Sequence, residues 1–209
     1  MSTISPPRIG VCDYGVGNLR SVERALAHGG GHAVISADAG ELAECDGLVL
    51  PGVGAFTVAA RALHSRGLDA AIRAMASSGR PLLGICLGFQ LLFSDSDEAD
   101  GDAGLDLLPG RVRRLHPALG KVPHMGWNRL SLTRSSSLLA GVDDGAHAYF
   151  VHSYAATPDD AECVVAVTDH GGEFVAAVEA GNIAGTQFHP EKSQTLGLRL
   201  ISNFLKWRP

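Results

Sequence analysis

The sequence predicts an α/β fold: an open, mostly parallel sheet with helices on both faces, lengthened by antiparallel strands. Three observations predict it. The first half alternates short apolar runs with segments of helical period, the order that a parallel sheet with crossover helices requires. The second half carries strand-like segments in quick succession, with no helix-length pattern between them. The C-terminal stretch then returns to helical spacing.

Residues 8–14 (RIGVCDY) read as the first strand. Residues 16–28 place Leu19, Val22, Ala25 and Leu26 at helical spacing, and Gly29, Gly30 and Gly31 stop that helix. Residues 32–36 and 47–50 are the next two strands, the latter ending at Pro51 and Gly52. Residues 55–77 are helical in pattern, with a break expected near Gly67. Residues 81–85 (PLLGI) form a fourth strand, followed by a helix over 87–93 and a solvated acidic loop over 95–106. Beyond it, residues 111–115, 127–130, 148–154, 164–168, 174–178 and 183–188 have strand character. They read as antiparallel strands grafted onto the parallel core. Residues 193–207 close as a helix with Leu196, Leu200, Phe204 and Trp207 facing inward.

A chain of 209 residues buries roughly 70% of its unfolded surface and needs no covalent staples. Hydrophobic residues at 45% and charged residues at 19% are globular values that argue against disorder. There is no internal repeat and no linker-like segment, so one domain over 8–207 is expected, after a fraying, disordered lead-in over 1–7. A net charge of −5 disfavours nucleic acid or an anionic membrane as the main partner. The longest apolar stretch, 81–93, is too short to span a bilayer. The four cysteines, at 12, 45, 86 and 163, form no C-x-x-C pair, which excludes a zinc ribbon or a thioredoxin-type redox motif. A reducing, cytoplasmic setting follows as the expectation, and it keeps thiols available for chemistry.

One cysteine stands apart. Cys86, in GICLGFQ, sits where a buried strand turns into a helix, with Gly84 and Gly88 two positions away on either side. A sharp strand-to-helix turn needs such glycines so that neighbouring backbone can approach. The turn lifts one side chain to the end of the sheet and to a helix N-terminus, where dipole and free N–H groups favour a thiolate. The N–H of Leu87 would point into the same space, where it could stabilise an oxyanion. A small buried core residue is the alternative for Cys86, and it is the reading adopted for Cys12, Cys45 and Cys163.

A base lies in the segment QFHPEKS. Pro190 biases His189 towards an extended conformation, in which residues two apart share a side. His189 and Glu191 would then project together, with Cα atoms roughly 6.5 Å apart. The carboxylate would fix the imidazole's tautomer, and the imidazole would take the Cys86 proton and later return it. The competing reading is a surface turn before a helix, with Ser193 as N-cap. His28, His32, His64 and His170 read as solvated turn or helix-end residues.

Cys86 in GICLGFQ with His189 and Glu191 in QFHPEKS closely resembles the class I, or triad, glutamine amidotransferases. Further segments resemble one family among them, the glutaminase subunits of imidazole glycerol phosphate synthase. These are DYGVGNL from Asp13, LPGVGAF from Leu50, VPHMGWN from Val122 and YFVHSY from Tyr149. The resemblance covers nearly the whole chain. Phe89 departs from it, standing where methionine is common, and could reshape the pocket wall.

The resemblance implies that Cys86 attacks the side-chain amide of L-glutamine, releasing ammonia and then glutamate, with His189 as acid/base and Glu191 as its orienter. Val53 and Leu87 would supply the oxyanion hole. Gly52, Gln90, His152, Ser153 and Tyr154 would bind glutamine, while a strand-core reading competes for Tyr149 and Val151. Asn18, Pro123, Met125, Trp127 and Asn128 would dock on a separate (β/α)8-barrel cyclase subunit, to which ammonia passes in histidine biosynthesis. Trp127 could equally be core. No cofactor is implied.

Other readings are weaker. Gly15 and Gly17 open a helix after a strand, but Arg20 replaces the third glycine of a dinucleotide fingerprint. Over 95–102, Ala99 and Asp100 stand where a calcium loop needs a ligand and its turn glycine, so neither metal nor nucleotide is expected. A standalone cysteine hydrolase would have no use for the docking stretch 123–128, and a non-catalytic module would have no use for an intact triad. The glutaminase of another synthase is the alternative within the class.

Overall fold

Leucine, isoleucine and valine runs without alternation become strands buried on both faces. The computed structural model describes residues 5–99, 101–116 and 120–209, so most of the expected lead-in and Asp100 lie outside the described residues. In chain order the first half is β1 (Arg8–Cys12), α1 (Leu19–His28), β2 (His32–Ser36), α2 (Ala39–Ala43), β3 (Gly47–Leu50), α3 (Phe56–Ser65), α4 (Leu68–Ser77), β4 (Leu82–Ile85) and α5 (Leu87–Gln90). The second half is β5 (Phe93–Ser96), β6 (Leu108–Arg114), β7 (His124–Arg129), β8 (Ser131–Leu132), β9 (His147–His152), β10 (Tyr154–Pro158), β11 (Val164–Asp169), β12 (Glu173–Ala180), β13 (Ile183–Thr186) and α6 (Gln194–Lys206).

The main sheet has eight strands in the order β2-β1-β3-β4-β13-β12-β11-β8. Its first five strands are parallel and its last three pair antiparallel. Every residue of β3 and β4 is buried, as strands covered on both faces require. Along β1 and β3, Val11 and Val49 face a core shared with α1 and α6, while Cys12 and Leu48 face one shared with α2, α3 and α4. Two smaller sheets, β10-β6-β5 and β7-β9, flank the main one.

Several expectations are corrected. The 183–188 segment is no antiparallel addition: β13 joins the parallel core beside β4. The helix expected over 87–93 stops at Gln90, and Phe93 begins a strand. The run from Leu87 to Phe93 is buried throughout, so it carries no period by which a helix and a strand could be told apart. The expected acidic loop therefore begins inside β5. The strand expected over 148–154 breaks at Ser153, and its halves enter different sheets. The 55–77 helix does break at Gly67, whose φ of 67° is left-handed. Two short elements, α2 and β8, have no distinctive sequence pattern; the Asp38 carboxylate caps α2 by accepting the Glu41 N–H.

The glycine frame around Cys86 has a steric cause. A side chain on Gly84 would meet the Phe89 Cα at 2.7 Å, and one on Gly88 would run into the Leu50 carbonyl. Gly88→Ala should therefore destabilise the protein by about 1–3 kcal/mol or more, because backbone rather than a flexible side chain must yield. A urea titration checks this; an unchanged midpoint would show that the elbow has slack.

Candidate active site

Cys86 sits at the C-terminal end of β4 with φ 54° and ψ −108°, a conformation unusual for a non-glycine residue. Its N–H donates to the Thr186 carbonyl at 2.8 Å, which ties the elbow to β13. The helix behind it is only four residues long, so the macrodipole anticipated from the sequence shrinks to the local N–H groups of one turn. Cys86 is 5% exposed. Its sulfur lies 3.8 Å from Gln187 Nε2, which donates to it, and 3.9 Å from the Val151 carbonyl.

Just beyond β13 comes His189. Its Nδ1 and the Glu191 Oε1 are 2.8 Å apart, and both side chains are almost fully buried. His189 itself is extended, as the proline after it predicts, but the chain beyond it is not. Residues Pro190–Lys192 form a 3-10 turn, and the two side chains meet across it. Ser193 also differs: its hydroxyl makes no helix cap. It donates to the His189 carbonyl at 2.7 Å and accepts the Tyr149 N–H at 3.0 Å, while the His189 N–H donates to the Tyr149 carbonyl. β9 thus holds the base by its backbone.

Burial alone would lower the His189 pKa. Its contacts with Cys86 and Glu191 outweigh burial and push it up to about 9. Nε2 is buried without a partner of regular hydrogen-bond geometry, so the contact with the thiol is looser than the one with Glu191. Catalytic contacts often tighten only with substrate. The other thiols are buried and inert: burial drives Cys12 up to about 12 and raises Cys45 and Cys163 as well.

A cleft of about 370 Å³ opens over Cys86, lined among others by Val53, Leu87, Gln90, His152, Ser153 and Tyr154. Gly52 is not part of that lining; it is packed against the Tyr14 hydroxyl and the elbow. The 51–55 segment is irregular and pinned at its ends. The Pro51 carbonyl accepts the Tyr14 hydroxyl at 2.6 Å, and the Phe56 N–H donates to Glu98 Oε2 at 2.8 Å. Between those pins Val53 is 40% exposed and Gly54 has φ 99° with open space around it. Phe89 does not line the cleft; it is buried against Gly185 and edge-on to Phe93 at 5.3 Å.

On β7, Met125 is 64% and Trp127 48% exposed, so the core reading of Trp127 is set aside. Pro123 is exposed and Asn18 partly so. The Asn128 amide instead turns inward, to His124 and the Asp169 carbonyl. His152 lines the cleft, but both its ring nitrogens are engaged within the protein. His170 stacks on His124 at 4.2 Å and is no simple solvated residue. The acidic segment is likewise engaged, with Asp95 and Asp97 on Arg111 and Asp102 on Arg61. Sequence reasoning missed Gln187, Glu98 and His124; the only available signal was a polar residue within an apolar or motif-rich run. Among the described residues no group of His, Cys, Asp and Glu has the geometry to hold a metal, and no helix is long and apolar enough to cross a membrane.

The family model described as glutamine amidotransferase class-I matches residues 11–207. A crystal structure described as that of a glutamine amidotransferase superposes with a TM-score of 0.74 at 24% identity, covering 95% of this chain and 97% of its own, which is a likeness of fold. At the level of sequence, the imidazole glycerol phosphate synthase subunit HisH of Moorella thermoacetica is 51% identical, covering 94% of this chain and 93% of its own. The subunit of the same name from Halobacterium salinarum is 53% identical, covering 94% and 92%. The chain belongs to the class-I glutamine amidotransferases, an enzyme family, and within it to the HisH subunits of imidazole glycerol phosphate synthase.

Burial depresses the pKa of His124 to about 4 and of His152 to about 3, with repulsion between the clustered imidazoles adding to it. Between pH 6.5 and about 4 the unfolded chain therefore takes up protons that the folded protein refuses. Stability should be intact above pH 6.5 and fall on acidification through that window. The urea midpoint of the wild type is expected to drop more steeply from pH 6.5 to 5 than that of His152→Asn; parallel slopes would contradict the buried neutral imidazole.

Proposed function

We propose that residues 8–207 form one glutaminase domain that supplies ammonia to a cyclase. The observation that carries this is Cys86 at the cleft with the buried His189–Glu191 pair behind it, in a chain of HisH type. Glutamine enters with its amino-acid end at Ser153 and Tyr154, with Gln90 and His152 forming the wall and Gly52 supporting the oxyanion segment beside it. The proton that Cys86 and His189 share rests on the imidazole, and the sulfur attacks the side-chain amide carbon. The N–H groups of Val53 and Leu87 receive the oxyanion. His189 returns the proton to the leaving nitrogen, ammonia departs, and a thioester remains. His189 then takes a proton from water as the water attacks the thioester, and gives it to sulfur as glutamate leaves. Glu191 stabilises the imidazolium in both halves. Thiol, imidazole and water supply every step, so the reading needs no cofactor.

The partner in this reading is a (β/α)8-barrel cyclase subunit that forms a heterodimer over Asn18, Pro123, Met125 and Trp127. Asn128 supports that face from beneath. Exposed apolar side chains at Met125 and Trp127 suit a protein partner better than nucleic acid or membrane. Free ammonium is a poor nucleophile at neutral pH, which is the reason to pass ammonia on directly. The open space at Gly54 between two pinned ends supports an oxyanion segment that reorients when the partner binds. A biosynthetic role of this kind fits the cytoplasm.

Cys86→Ala should lower glutamine-dependent synthesis by the complex about a thousandfold or more while ammonia-dependent synthesis persists. Loss of both activities would make Cys86 structural.

A further inference from the structure

Behind the cleft wall, hydrogen bonds run in one direction from β7 as far as the Tyr154 carbonyl, which accepts a second donor, Gln90, from the nucleophile's side. The Asn128 amide is fixed at the start of this chain: its oxygen accepts the Arg129 N–H at 2.8 Å and its nitrogen donates to the Asp169 carbonyl at 2.8 Å. The same nitrogen lies 3.2 Å from His124 Nε2, which must therefore accept. At the far end, His152 Nδ1 lies 2.8 Å from the Tyr154 carbonyl, an oxygen that can only accept. His152 must then carry its proton on Nδ1 and leave Nε2 bare. His124 Nδ1 and His152 Nε2 are 3.0 Å apart, so His124 donates. The two ends, assigned independently, demand the same direction and one tautomer, Nδ1–H, for both rings. A second proton on either ring would set donor against donor.

The chain continues into the site. The Tyr154 carbonyl also accepts Gln90 Nε2 at 2.9 Å, Gln90 Nε2 donates to Gln187 Oε1 at 3.0 Å, and Gln187 Nε2 reaches the Cys86 sulfur. His124 is 4% exposed, and the opposite face of β7 presents Met125 and Trp127 to solvent. We infer that His124 is a positioning residue for the glutamine cleft: its Nδ1–H fixes the His152 tautomer and so the aim of the Tyr154 carbonyl and Gln90. A displacement of β7 reaches the cleft through this directional chain. The titratable neighbours are His170, stacked on His124, and His189, whose charge acts on His152; both oppose a second charge in the chain. The inference rests on the glutaminase reading for its consequence but not for its geometry.

The test has two arms. Two-bond proton–nitrogen spectra of the imidazoles in the full chain should show His124 and His152 both as Nδ1–H, unprotonated from pH 8 to 5. An Nε2–H tautomer at either, or protonation by pH 6, overturns the inference. The second arm compares glutamine kinetics of the wild type, His124→Leu and His124→Asn with the cyclase present. Asparagine can place an N–H where Nδ1 stands, and leucine cannot. His124→Leu is expected to raise KM about tenfold, with kcat changed by less than about threefold, and His124→Asn to recover most of the loss. Equal damage in both variants, or none in leucine, overturns the inference. If the leucine variant does not fold, the spectra and His124→Asn still decide, since an asparagine variant with wild-type folding and a tenfold higher KM would contradict it. A wild-type complex without glutaminase activity would instead sink the functional reading and leave the spectral arm standing.

Discussion

The pairing of β4 with β13 is the constraint on which the site depends. Its register sets Ile85 opposite Thr186. The next residues along each strand are then Cys86 and the segment running to His189, far apart in sequence and adjacent in space. β3 lies on the other side of β4 and delivers the 51–55 segment to the same end of the sheet. In an open parallel sheet the crevice beyond the carboxyl ends of the strands is where ligands bind. Here the carboxyl ends of three neighbouring strands supply the thiol, the imidazole and the segment proposed to receive the oxyanion. A slip of one residue in the β4–β13 register would turn the thiol to the other face of the sheet.

That geometry leaves electrostatics to be arranged locally. His189 is held towards its charged form by Glu191 and Cys86, while burial holds His124 and His152 neutral close by. One site thus contains imidazoles pushed in opposite directions. The charged one is set for proton transfer, and the neutral ones serve as fixed donors and acceptors in the wall. The cost of charge at His189 is lowered by a carboxylate at 2.8 Å that is itself buried, and the Tyr149 carbonyl and the Ser193 hydroxyl hold the His189 backbone so that the ring does not move away. The pinned but open 51–55 segment is the loosest part of this end of the sheet, which suits a group required only when charge develops.

Much of this was legible in the sequence because the chemistry is compressed into short motifs. Gly84 and Gly88 announce the elbow, since no side chain fits there. The pair His189 and Glu191 is close in sequence, so its meeting survives an error about the intervening backbone: the turn is 3-10 where an extended chain was expected. Strands 32–36 and 47–50 are legible to the residue because glycines precede the first and Pro51 and Gly52 follow the second. The run after Cys86 misled, since uniform burial erases the period that separates helix from strand. Ser193 is written like a helix cap and acts as a brace for His189, because the hydroxyl had a better partner in three dimensions. The imidazole chain was illegible for a different reason. His124 and His152 come from separate strands, and only the pairing of β7 with β9 sets them opposite each other, while His170 comes from the turn between β11 and β12.

Through the β4–β13 register, Cys86 alone among the four cysteines is proposed to be activated, by the charged His189 beside it. The most direct measurement is the rate and site of labelling by a glutamine analogue bearing an electrophilic carbon in place of the amide, followed by intact mass and peptide mapping. A single adduct on Cys86 is predicted, formed about a hundredfold or more slower in His189→Asn. Labelling of Cys12, Cys45 or Cys163, or an equal rate in the variant, would contradict the account.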